Sequence, residues 1–443
     1  MKQLIADALA AELEGHLSAR DIERLIEVPP SEELGDLAFP CFSLAKIFRK
    51  NPKAIAEELA GRLSNAEGVA GVDPVSGYLN FFVDRSVLAQ RVLEQATAEG
   101  FGRGTVAEKT VVEFSSPNSN KPLHLGHLRN MSIGESVSRL LEFRGNTVTR
   151  TCVNNDRGIH ICQSMLAYQR YGDGATPEST GMKSDHFVGE YYVIFSKNAK
   201  EDPSLNDQAG DMLRKWEDGD EPTRKLWGIM NKWAFEGFEK TYELFGIRFD
   251  REYYESRLYT KGKEIVEDGL RRGIFHKRDD GVVAVDLTDE KLDEKVLLRA
   301  DGTAIYIVQD LYLAELKHRD FQFDRSIYVV GNEQDYHFRV LVAILRRLGR
   351  PIADRITHLS YGMVDLPEGK MKSREGTVVD ADDFIGEVRQ LGREELERRY
   401  RLCEQELEER SLKIALAAIK YQLLMVDITK NLLFDPKKAV SFE

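Results

Sequence analysis

The stretch from Val111 to His127 constrains the fold more than any other part of the chain. It opens with an apolar run, Val111–Phe114, that has the length and composition of a buried strand. A turn-forming segment rich in Ser, Pro and Asn follows, and from Leu128 to Gly145 the pattern is that of a long helix. A buried strand that leads through a loop into a long helix predicts part of a parallel α/β sheet domain.

Two histidines, His124 and His127, lie where this loop meets the helix. Backbone N–H groups at a helix start have no partners within the helix and favour anions. Gly126 lets a ligand approach the backbone, and Lys121 adds a positive charge. Together these groups suit a polyphosphate, although on spacing alone a surface pair, a core pair or half of a metal site is the commoner explanation.

The complete string is more specific than the histidine spacing. From Glu113 to His127 it reads EFSSPNSNKPLHLGH, which resembles the HIGH signature of class I aminoacyl-tRNA synthetases in the version found in arginyl-tRNA synthetases. The resemblance extends over nearly the whole chain. It implies an α/β fold with a Rossmann-like parallel-sheet catalytic domain, the use of ATP with Mg²⁺, and the partners L-arginine and tRNA(Arg).

Composition limits the class of protein. The chain has 443 residues and a net charge of −12, which disfavours a non-specific nucleic-acid coat but not a specific RNA contact through local basic patches. The sequence contains no run of about 18 apolar residues, so no transmembrane helix is predicted. The amino-terminal stretch lacks the features of a secretory signal. Four scattered cysteines suit a reducing compartment. We therefore expect a cytoplasmic protein with no membrane partner. The expected oligomeric state is a monomer.

Sequence patterns divide the chain at two places. The glycine-rich patch Gly100–Gly104 ends a small α+β module, predicted as residues 1–105. Alternating strand and helix patterns predict a nucleotide-binding domain at residues 106–390, with an insertion at about 172–250. Residues 391–443 predict a helical segment. The resemblance implies that this segment contacts the tRNA stem and only begins an anticodon-binding domain, so we expect a truncated chain rather than an unusual short form.

The first module contains a predicted strand, Gly77–Asp84. By resemblance, Tyr78 and Asn80 match the aromatic and amide positions with which this family contacts the D-loop of the tRNA. An aromatic ring can stack on a splayed base, and an amide can bond to a base edge. Without the resemblance, both are ordinary strand residues.

Further elements are predicted from periodicity. Residues 147–153 predict a strand and residues 158–171 a helix. The aromatic residues of the helix that starts at Pro222 predict core packing, and from Asp380 the chain is predicted to be helical to its end. Sheet-like runs are predicted at Val282–Asp286, Thr303–Val308, Ser326–Gly331 and Ile356–Met363.

A basic loop forms the second motif. Its residues are Lys370, Met371, Lys372, Ser373 and Arg374. Cations on a glycine-bounded loop can close over a triphosphate, whereas a solvated basic turn is the ordinary alternative. The loop resembles the KMSKS loop of this class, with an imperfect match at Lys372 and Ser373. The resemblance implies that Lys121 replaces the second lysine of this loop, so Lys370, Lys372 and Lys121 all remain candidates for the key charge.

Recognition of arginine requires carboxylates in a planar, two-pronged geometry. By resemblance, the guanidinium contacts are Tyr306, Asp310 and Glu255. Tyr306 and Asp310 are four residues apart and share a face if the segment is helical, while a helix cap or a surface acid is the ordinary alternative for Asp310. The resemblance assigns the amino and carboxyl ends of arginine to Glu113, Asn118 and Gln334.

The resemblance also implies an ATP site. Its candidates outside the basic loop are Pro117, Leu125, Gly126, Gly331 and His337. A histidine such as His337 is otherwise most often a packing residue. The histidines and cysteines form no zinc set at ligand spacing, so the Mg²⁺ that accompanies ATP is the only metal expected.

The expected reaction is attack of the arginine carboxylate on the α-phosphate of ATP. His124 and His127 stabilise the transition state, and Lys121 with the basic loop neutralises pyrophosphate. Two alternatives remain. One is a synthetase-like paralogue that activates an amino acid for another acceptor, and the other is a non-catalytic RNA-binding relic.

Overall fold

A computed structural model describes residues 1–13, 15–365 and 379–433. It divides in sequence between Arg103 and Gly104 into two compact units. None of the described helices has the length and apolar character that crossing a membrane requires.

The first unit is built on a three-stranded antiparallel sheet. The strands are β1 Leu37–Pro40, β2 Val69–Val75 and β3 Tyr78–Val83, in the order β1-β3-β2. The helices are α1 Lys2–Glu12, α2 Ala19–Leu25, α3 Ala45–Phe48, α4 Pro52–Leu63 and α5 Arg85–Ala96. Alternate residues of β3, Leu79, Phe81 and Val83, point into the core of this unit. The predicted strand at Gly77–Asp84 is therefore confirmed.

The second unit is organised around a five-stranded parallel sheet. Its strands are β4 Lys109–Glu113, β5 Thr147–Asn154, β6 Arg251–Tyr254, β10 Arg325–Gly331 and β11 Ile356–Tyr361. The order is β11-β10-β4-β5-β6, so the chain leaves central β4 for one neighbour and returns later on its other side. Ligands bind at such a switch point, outside the carboxyl ends of the strands. The predicted fold class is confirmed.

Helices cover both faces of this sheet. The core on one face contains residues of α6 Leu125–Phe143, α7 Ile159–Tyr171, α9 Ser184–Glu201, α11 Glu221–Phe245, α16 Ala381–Arg399 and α17 Glu404–Leu424. The core on the other face contains residues of α13 Lys263–Arg271, α14 Tyr306–Phe321 and α15 Asp335–Arg347. Val112 packs on the first face and Val111 on the second, which explains the unbroken apolar run of β4.

Four helices lie between α7 and β6, where the insertion is predicted. They are α8 Pro177–Thr180, α9, α10 Ser204–Glu217 and α11. The aromatic stripe of α11 is core, as predicted, because Phe238, Tyr242 and Phe245 are buried. After β6 come α12 Glu255–Leu258 and a separate antiparallel sheet of β7 His276–Lys277, β8 Val283–Val285 and β9 Lys295–Leu298.

Two predictions of secondary structure are wrong. The run Thr303–Val308 is not a strand, because Ala304 makes only an isolated bridge and α14 begins at Tyr306. A short apolar run does not distinguish a strand from the first turn of a buried helix.

The described part of the carboxy-terminal region is also not continuously helical. It breaks between α16 and α17, and β13 Leu432–Leu433 pairs with β12 Val364–Asp365. The buried guanidinium of Arg129 donates to the carbonyls of Met363 (3.0 Å) and Lys430 (2.9 Å), which ties these non-helical segments to α6.

Candidate active site

The loop between β4 and α6 starts with a strained turn. Ser115 and Ser116 have φ angles of 72° and 48°, a left-handed conformation that costs on the order of 1–3 kcal/mol for a residue with a side chain. Asn130 of α6 stabilises it, because its Oδ1 accepts the N–H of Ser115 at 2.5 Å and its Nδ2 donates to the carbonyl of Val329 at 2.8 Å. The loop is therefore held by the helix that it precedes and by β10.

His124 and His127 form the amino-terminal cap of α6. Nδ1 of His124 accepts the N–H of Gly126 at 3.1 Å, and Nδ1 of His127 accepts the N–H of His124 at 3.1 Å. The ring centroids are 4.0 Å apart. Since both Nδ1 atoms are acceptors, each neutral ring carries its proton on Nε2. No described residue accepts a hydrogen bond from either Nε2–H, so both can donate to a ligand.

Both imidazoles are neutral at physiological pH. Burial, reinforced by Lys121 and opposed by Asp380, lowers the pKa of His124 to about 4. Burial also lowers the pKa of His127 well below its ordinary value, with further contributions from His124 and Lys121. Protonation of Nδ1 would in addition break the cap. The histidines can therefore act as hydrogen-bond donors but not as cations.

The expectation of unpaired backbone N–H groups at this helix start is wrong. The N–H of Leu125 donates to the carbonyl of Val379 at 3.2 Å, and that of His127 donates to the carbonyl of His124 at 2.7 Å. The N–H of Gly126 is bonded to the His124 ring. The cap and the returning chain satisfy these donors, so a phosphate would meet the imidazoles instead.

Gly126 has a packing role. A Cβ at this position would lie 2.9 Å from Cε1 and 3.0 Å from Nδ1 of His124. The absence of a side chain lets the His124 ring fold back over the first turn of α6.

A cavity of about 250 Å³ adjoins the helix start. Lys121 and His124 line one side of it, and Tyr192 of α9 lines another. Helix α9 packs directly on the loop, because a Cβ on Gly189 would lie 2.6 Å from Cδ of Pro122. The insertion thus forms one wall of the candidate nucleotide site.

The basic loop lies outside the described residues, with Lys370, Met371, Lys372, Ser373 and Arg374. The chain is described again from Val379, and Ala381 donates its N–H to the carbonyl of Leu123 at 3.0 Å. The start of α16 is therefore joined to the residue just before His124.

Lys183 and His186 of the insertion bind the start of α16. The Nζ of Lys183 contacts Asp382 and lies 3.2 Å from Oδ2 of Asp185, while Nε2 of His186 lies 3.1 Å from Oδ2 of Asp380. Despite the opposing effect of burial, the carboxylates raise the pKa of His186 to about 10. Asp185, His186 and Asp382 hold ligand atoms within 4.8 Å of one another. The Lys183 ammonium contacts both carboxylates, so we assign no metal there.

Asp310 and His337 lie together on the other side of the sheet. Nε2 of His337 is 2.7 Å from Oδ2 of Asp310, so a residue predicted to bind ATP contacts one predicted to bind arginine. Tyr306 lies one helical turn before Asp310 in α14 and is 74% exposed. Its ring is available to a ligand.

Glu255 begins α12 directly after β6 and is 9% exposed. Burial raises its pKa to about 7, against the effect of Arg157 and together with that of Asp310. Glu255, Tyr306 and Arg157 line a cavity of about 750 Å³. The guanidinium of Arg157 is 4.1 Å from the ring centroid of Tyr259, which holds this cation at the wall.

Glu113, the last residue of β4, is paired with a buried lysine. The Nζ of Lys317 contacts Oε2 of Glu113, and it lies 4.1 Å from the centroid of the Tyr328 ring. The charge of Asp310 opposes ionisation of both Glu113 and Glu255. Asp310 is thus close enough to interact with each of the other two predicted arginine-binding acids.

The other predicted residues lie at the ends of β4 and β10. Asn118 is exposed and forms a parallel bridge with Asn155, whose N–H donates to the carbonyl of Pro117 at 3.0 Å. Gly331 ends β10, and exposed Gln334 precedes the first residue of α15. Because these strands are neighbours in the sheet, the four residues lie along one edge.

Comparison with known proteins determines the family. The family described as tRNA synthetases class I (R), catalytic domain, matches residues 88–436, and the arginyl tRNA synthetase N terminal domain matches residues 1–83. The chain belongs to the class I arginyl-tRNA synthetase family. The resemblance stated from the residue 113–127 string is confirmed.

Individual relatives agree with this family. Arginine–tRNA ligase from Treponema denticola is 48% identical over 429 residues, which cover 94% of this chain and 72% of the relative. The Parabacteroides distasonis protein of the same name is 44% identical over 432 residues, covering 92% of this chain and 72% of the relative. The solved arginyl-tRNA synthetase of Thermus thermophilus has a TM-score of 0.70 at 25% identity and covers 99% of this chain and 78% of that one.

In the first unit, the two predicted tRNA-contacting residues share one face of β3. Tyr78 and Asn80 point away from the core that Leu79 and Phe81 enter. The Tyr78 ring is partly exposed and packs edge-on against Phe42 at 5.2 Å. Asn80 is buried, with 4% exposure, so it offers less surface to an RNA base than the sequence suggests.

Sequence reasoning missed Lys317 and the Lys183–His186 cluster. Lys317 follows the apolar positions Val308, Leu311 and Ala314 at a spacing of three, so helical periodicity alone could have placed it inside. No comparable local signal identifies Lys183 and His186, because their partners lie almost 200 residues away in α16 and its cap.

Proposed function

We propose that the chain attaches L-arginine to tRNA(Arg) at the expense of ATP. Arginine and ATP first form arginyl-adenylate and pyrophosphate, and the arginyl group then passes to a terminal ribose hydroxyl of the tRNA as AMP leaves. The observation that carries this proposal is one arrangement: two imidazoles cap α6, which follows β4, and predicted arginine-binding carboxyl groups stand at the carboxyl ends of β4 and β6 in the same sheet.

The imidazoles act on the phosphate side of the reaction. The carboxylate of arginine is ionised at neutral pH, so its attack on the α-phosphate requires no general base. Negative charge grows on the phosphate oxygens in the transition state, and the Nε2–H groups of His124 and His127 donate to them. Donors fixed before the reaction stabilise such charge without reorganisation. Lys121 and the basic loop at 370–374 neutralise the departing pyrophosphate.

The carboxylates act on the amino-acid side. Asp310 and Glu255 accept the guanidinium, Tyr306 covers it, and Glu113, Asn118 and Gln334 hold the amino and carboxyl ends. A lysine ammonium is a point charge and does not reproduce the planar two-pronged contact. Selectivity for arginine over lysine follows from this geometry.

The remaining ATP contacts are assigned to the ends of β4 and β10, with Pro117, Leu125, Gly126, Gly331 and His337. Mg²⁺ that accompanies ATP would neutralise phosphate charge, and we assign it no protein ligand. The tRNA contacts the first unit at Tyr78 and Asn80. A cytoplasmic monomer completes the proposal, and sedimentation of the purified chain tests its oligomeric state.

Charging of tRNA(Arg) with labelled arginine tests the proposal. The expected product requires ATP and arginine, does not form with lysine or with tRNA(Lys), and is lost in His124→Asn but not in His276→Asn. His276 is an exposed histidine paired with Glu294 on a separate sheet, and it serves as the matched control. Absence of charging would contradict the proposal. Arginine-dependent pyrophosphate exchange that is equally fast without tRNA would favour an enzyme with another acceptor.

A further inference from the structure

Lys317 is a fully buried lysine in the second unit. Its side chain is 0% exposed, although it lies on α14 only two turns after Asp310. An unpaired ammonium in such surroundings is strongly disfavoured. The described contacts of its Nζ are the Glu113 carboxylate and the Tyr328 ring. The charge of Lys317 and the charge of Glu113 therefore stabilise each other.

Glu113 has one oxygen committed to this pair and one that is not. Oε2 contacts Lys317, and no hydrogen bond to Oε1 occurs in the described part of the chain. Burial raises the pKa of Glu113, and Lys317 opposes this effect by its charge and its hydrogen bond. Without Lys317, burial and the neighbouring charge of Asp310 would both favour the neutral acid. A neutral acid does not bind an ammonium group strongly.

The backbone fixes the direction of this side chain. Within β4, Val112 enters the core on the α6 side of the sheet and Val111 enters the core on the α14 side. Glu113 follows two residues after Val111, so it points to the α14 side, where Lys317 and Asp310 lie. Tyr328 of β10 is its register partner. The Glu113 carboxylate is therefore on the same side of the sheet as the Lys317 ammonium and the pair formed by Asp310 and His337.

We propose that Lys317 is a positioning residue for arginine, which holds Glu113 ionised and leaves Oε1 to accept the α-ammonium group of the substrate. This inference rests on the proposed role of Glu113 at the amino end of arginine. It assigns the guanidinium and the α-ammonium to separate acids. Lys317 itself does not touch the substrate.

The test compares two ligands that differ only at the α-amino group, L-arginine and 5-guanidinopentanoate. Their dissociation constants are measured by calorimetry or by competition for Lys317→Met, Lys317→Arg, Glu113→Gln and the double variant Glu113→Gln/Lys317→Met. We expect Lys317→Met to raise the dissociation constant of L-arginine at least tenfold. The dissociation constant of 5-guanidinopentanoate should stay within twofold of the wild-type value. Lys317→Arg, which keeps the charge, should retain most of the arginine affinity.

The double variant carries a neutral matched pair and covers the case in which Lys317→Met fails to fold. It should bind both ligands as Glu113→Gln does, because Lys317 acts only through Glu113. The matched control is Lys420→Met, since Lys420 is a half-buried lysine 4.7 Å from the Phe245 ring centroid. It should change neither affinity.

Three results would overturn the inference. Equal losses for both ligands in Lys317→Met, with Glu113→Gln selective for L-arginine, would show that Lys317 is merely structural. Unchanged or tighter binding of L-arginine in Lys317→Met would show that the lysine competes with the substrate. Equal losses for both ligands in Glu113→Gln would remove the proposed role of Glu113 itself, and the inference with it.

Discussion

Replacement of His124 by Asn separates its capping role from its proposed catalytic role. Nδ1 of His124 accepts the N–H of Gly126 at 3.1 Å, and Asn is among the best residues for accepting such a bond at a helix start. The Asn side chain has no donor at the position of Nε2–H. We therefore expect His124→Asn to keep the free energy of unfolding within about 0.5 kcal/mol of the wild type.

The expected loss of activity is much larger than the loss of stability. Removal of one fixed donor to a developing oxyanion typically lowers the rate by a factor of roughly 100 to 1,000, or about 2.7–4 kcal/mol. His124→Gln provides the opposite case. Its amide can place a donor near the Nε2 position but lacks the short-range acceptor, so it should be less stable by about 1 kcal/mol and more active than the Asn variant.

The assay is ATP–pyrophosphate exchange with saturating arginine and tRNA, beside urea unfolding of each variant. Because the pKa of His124 is lowered to about 4, protonation of this ring should not change the exchange rate between about pH 5.5 and pH 8. His124→Asn with exchange within threefold of the wild type would refute the donor role. If the part of the exchange rate that depends on His124 falls as pH rises from 6 to 7, the imidazolium is the active form.

Three further predictions concern neighbouring groups. Gly126→Ala should displace the His124 ring and lower the rate of pyrophosphate exchange at least tenfold. The free energy of unfolding should change little, because a gain of about 1 kcal/mol in helix propensity offsets a loss of about 1 kcal/mol from the cap. Full activity of this variant would contradict the close contact between Gly126 and the His124 ring. The KM for arginine should fall as pH rises from 6 to 8, since Glu255 has a pKa of about 7 and only its ionised form attracts a guanidinium. Glu255→Gln should remove this pH dependence. If the variant keeps the pH profile of the wild type, Glu255 does not bind the guanidinium. Asp310→Ala should weaken arginine binding by roughly 2 kcal/mol and abolish discrimination against lysine in exchange assays. An unchanged ratio of the exchange rates with arginine and with lysine would contradict the assignment of Asp310 to the guanidinium.

Local sequence patterns predicted the parts of the fold that depend on local physics. The strand–loop–helix unit around residues 111–143 follows from an apolar run, turn residues and helical spacing, and each signal lies within the element it specifies. Thr303–Val308 was assigned to the wrong element because Ile307 and Val308 are buried in the first turn of α14, where an apolar run is equally favourable. Strand pairing of Leu432 with Val364 had no local signal.

The candidate site shows the same difference between features with a local sequence signal and features that depend on distant residues. The sequence placed His124 and His127 at a helix start, but it could not show that their Nδ1 atoms close the cap and satisfy the N–H of Gly126. That outcome depends on ring orientation and on the return of the chain at Val379. Lys317 was missed because the stability of a buried lysine depends on its charged partner, Glu113, which lies 204 residues away in the sequence.

The charge state of the two imidazoles follows from their separation. Two unit charges 4.0 Å apart would repel by about 4 kcal/mol even at an effective dielectric constant of about 20, and Lys121 lies near enough to add to this. Cationic histidines would also repel the ammonium and guanidinium groups of arginine. Neutral donors avoid both costs and still stabilise phosphate oxygens, whereas the carboxyl groups across the strand edge bind the cationic substrate in their ionised form. The separation of neutral donors from ionised acceptors thus allows one small site to bind a polyanion and a cation side by side.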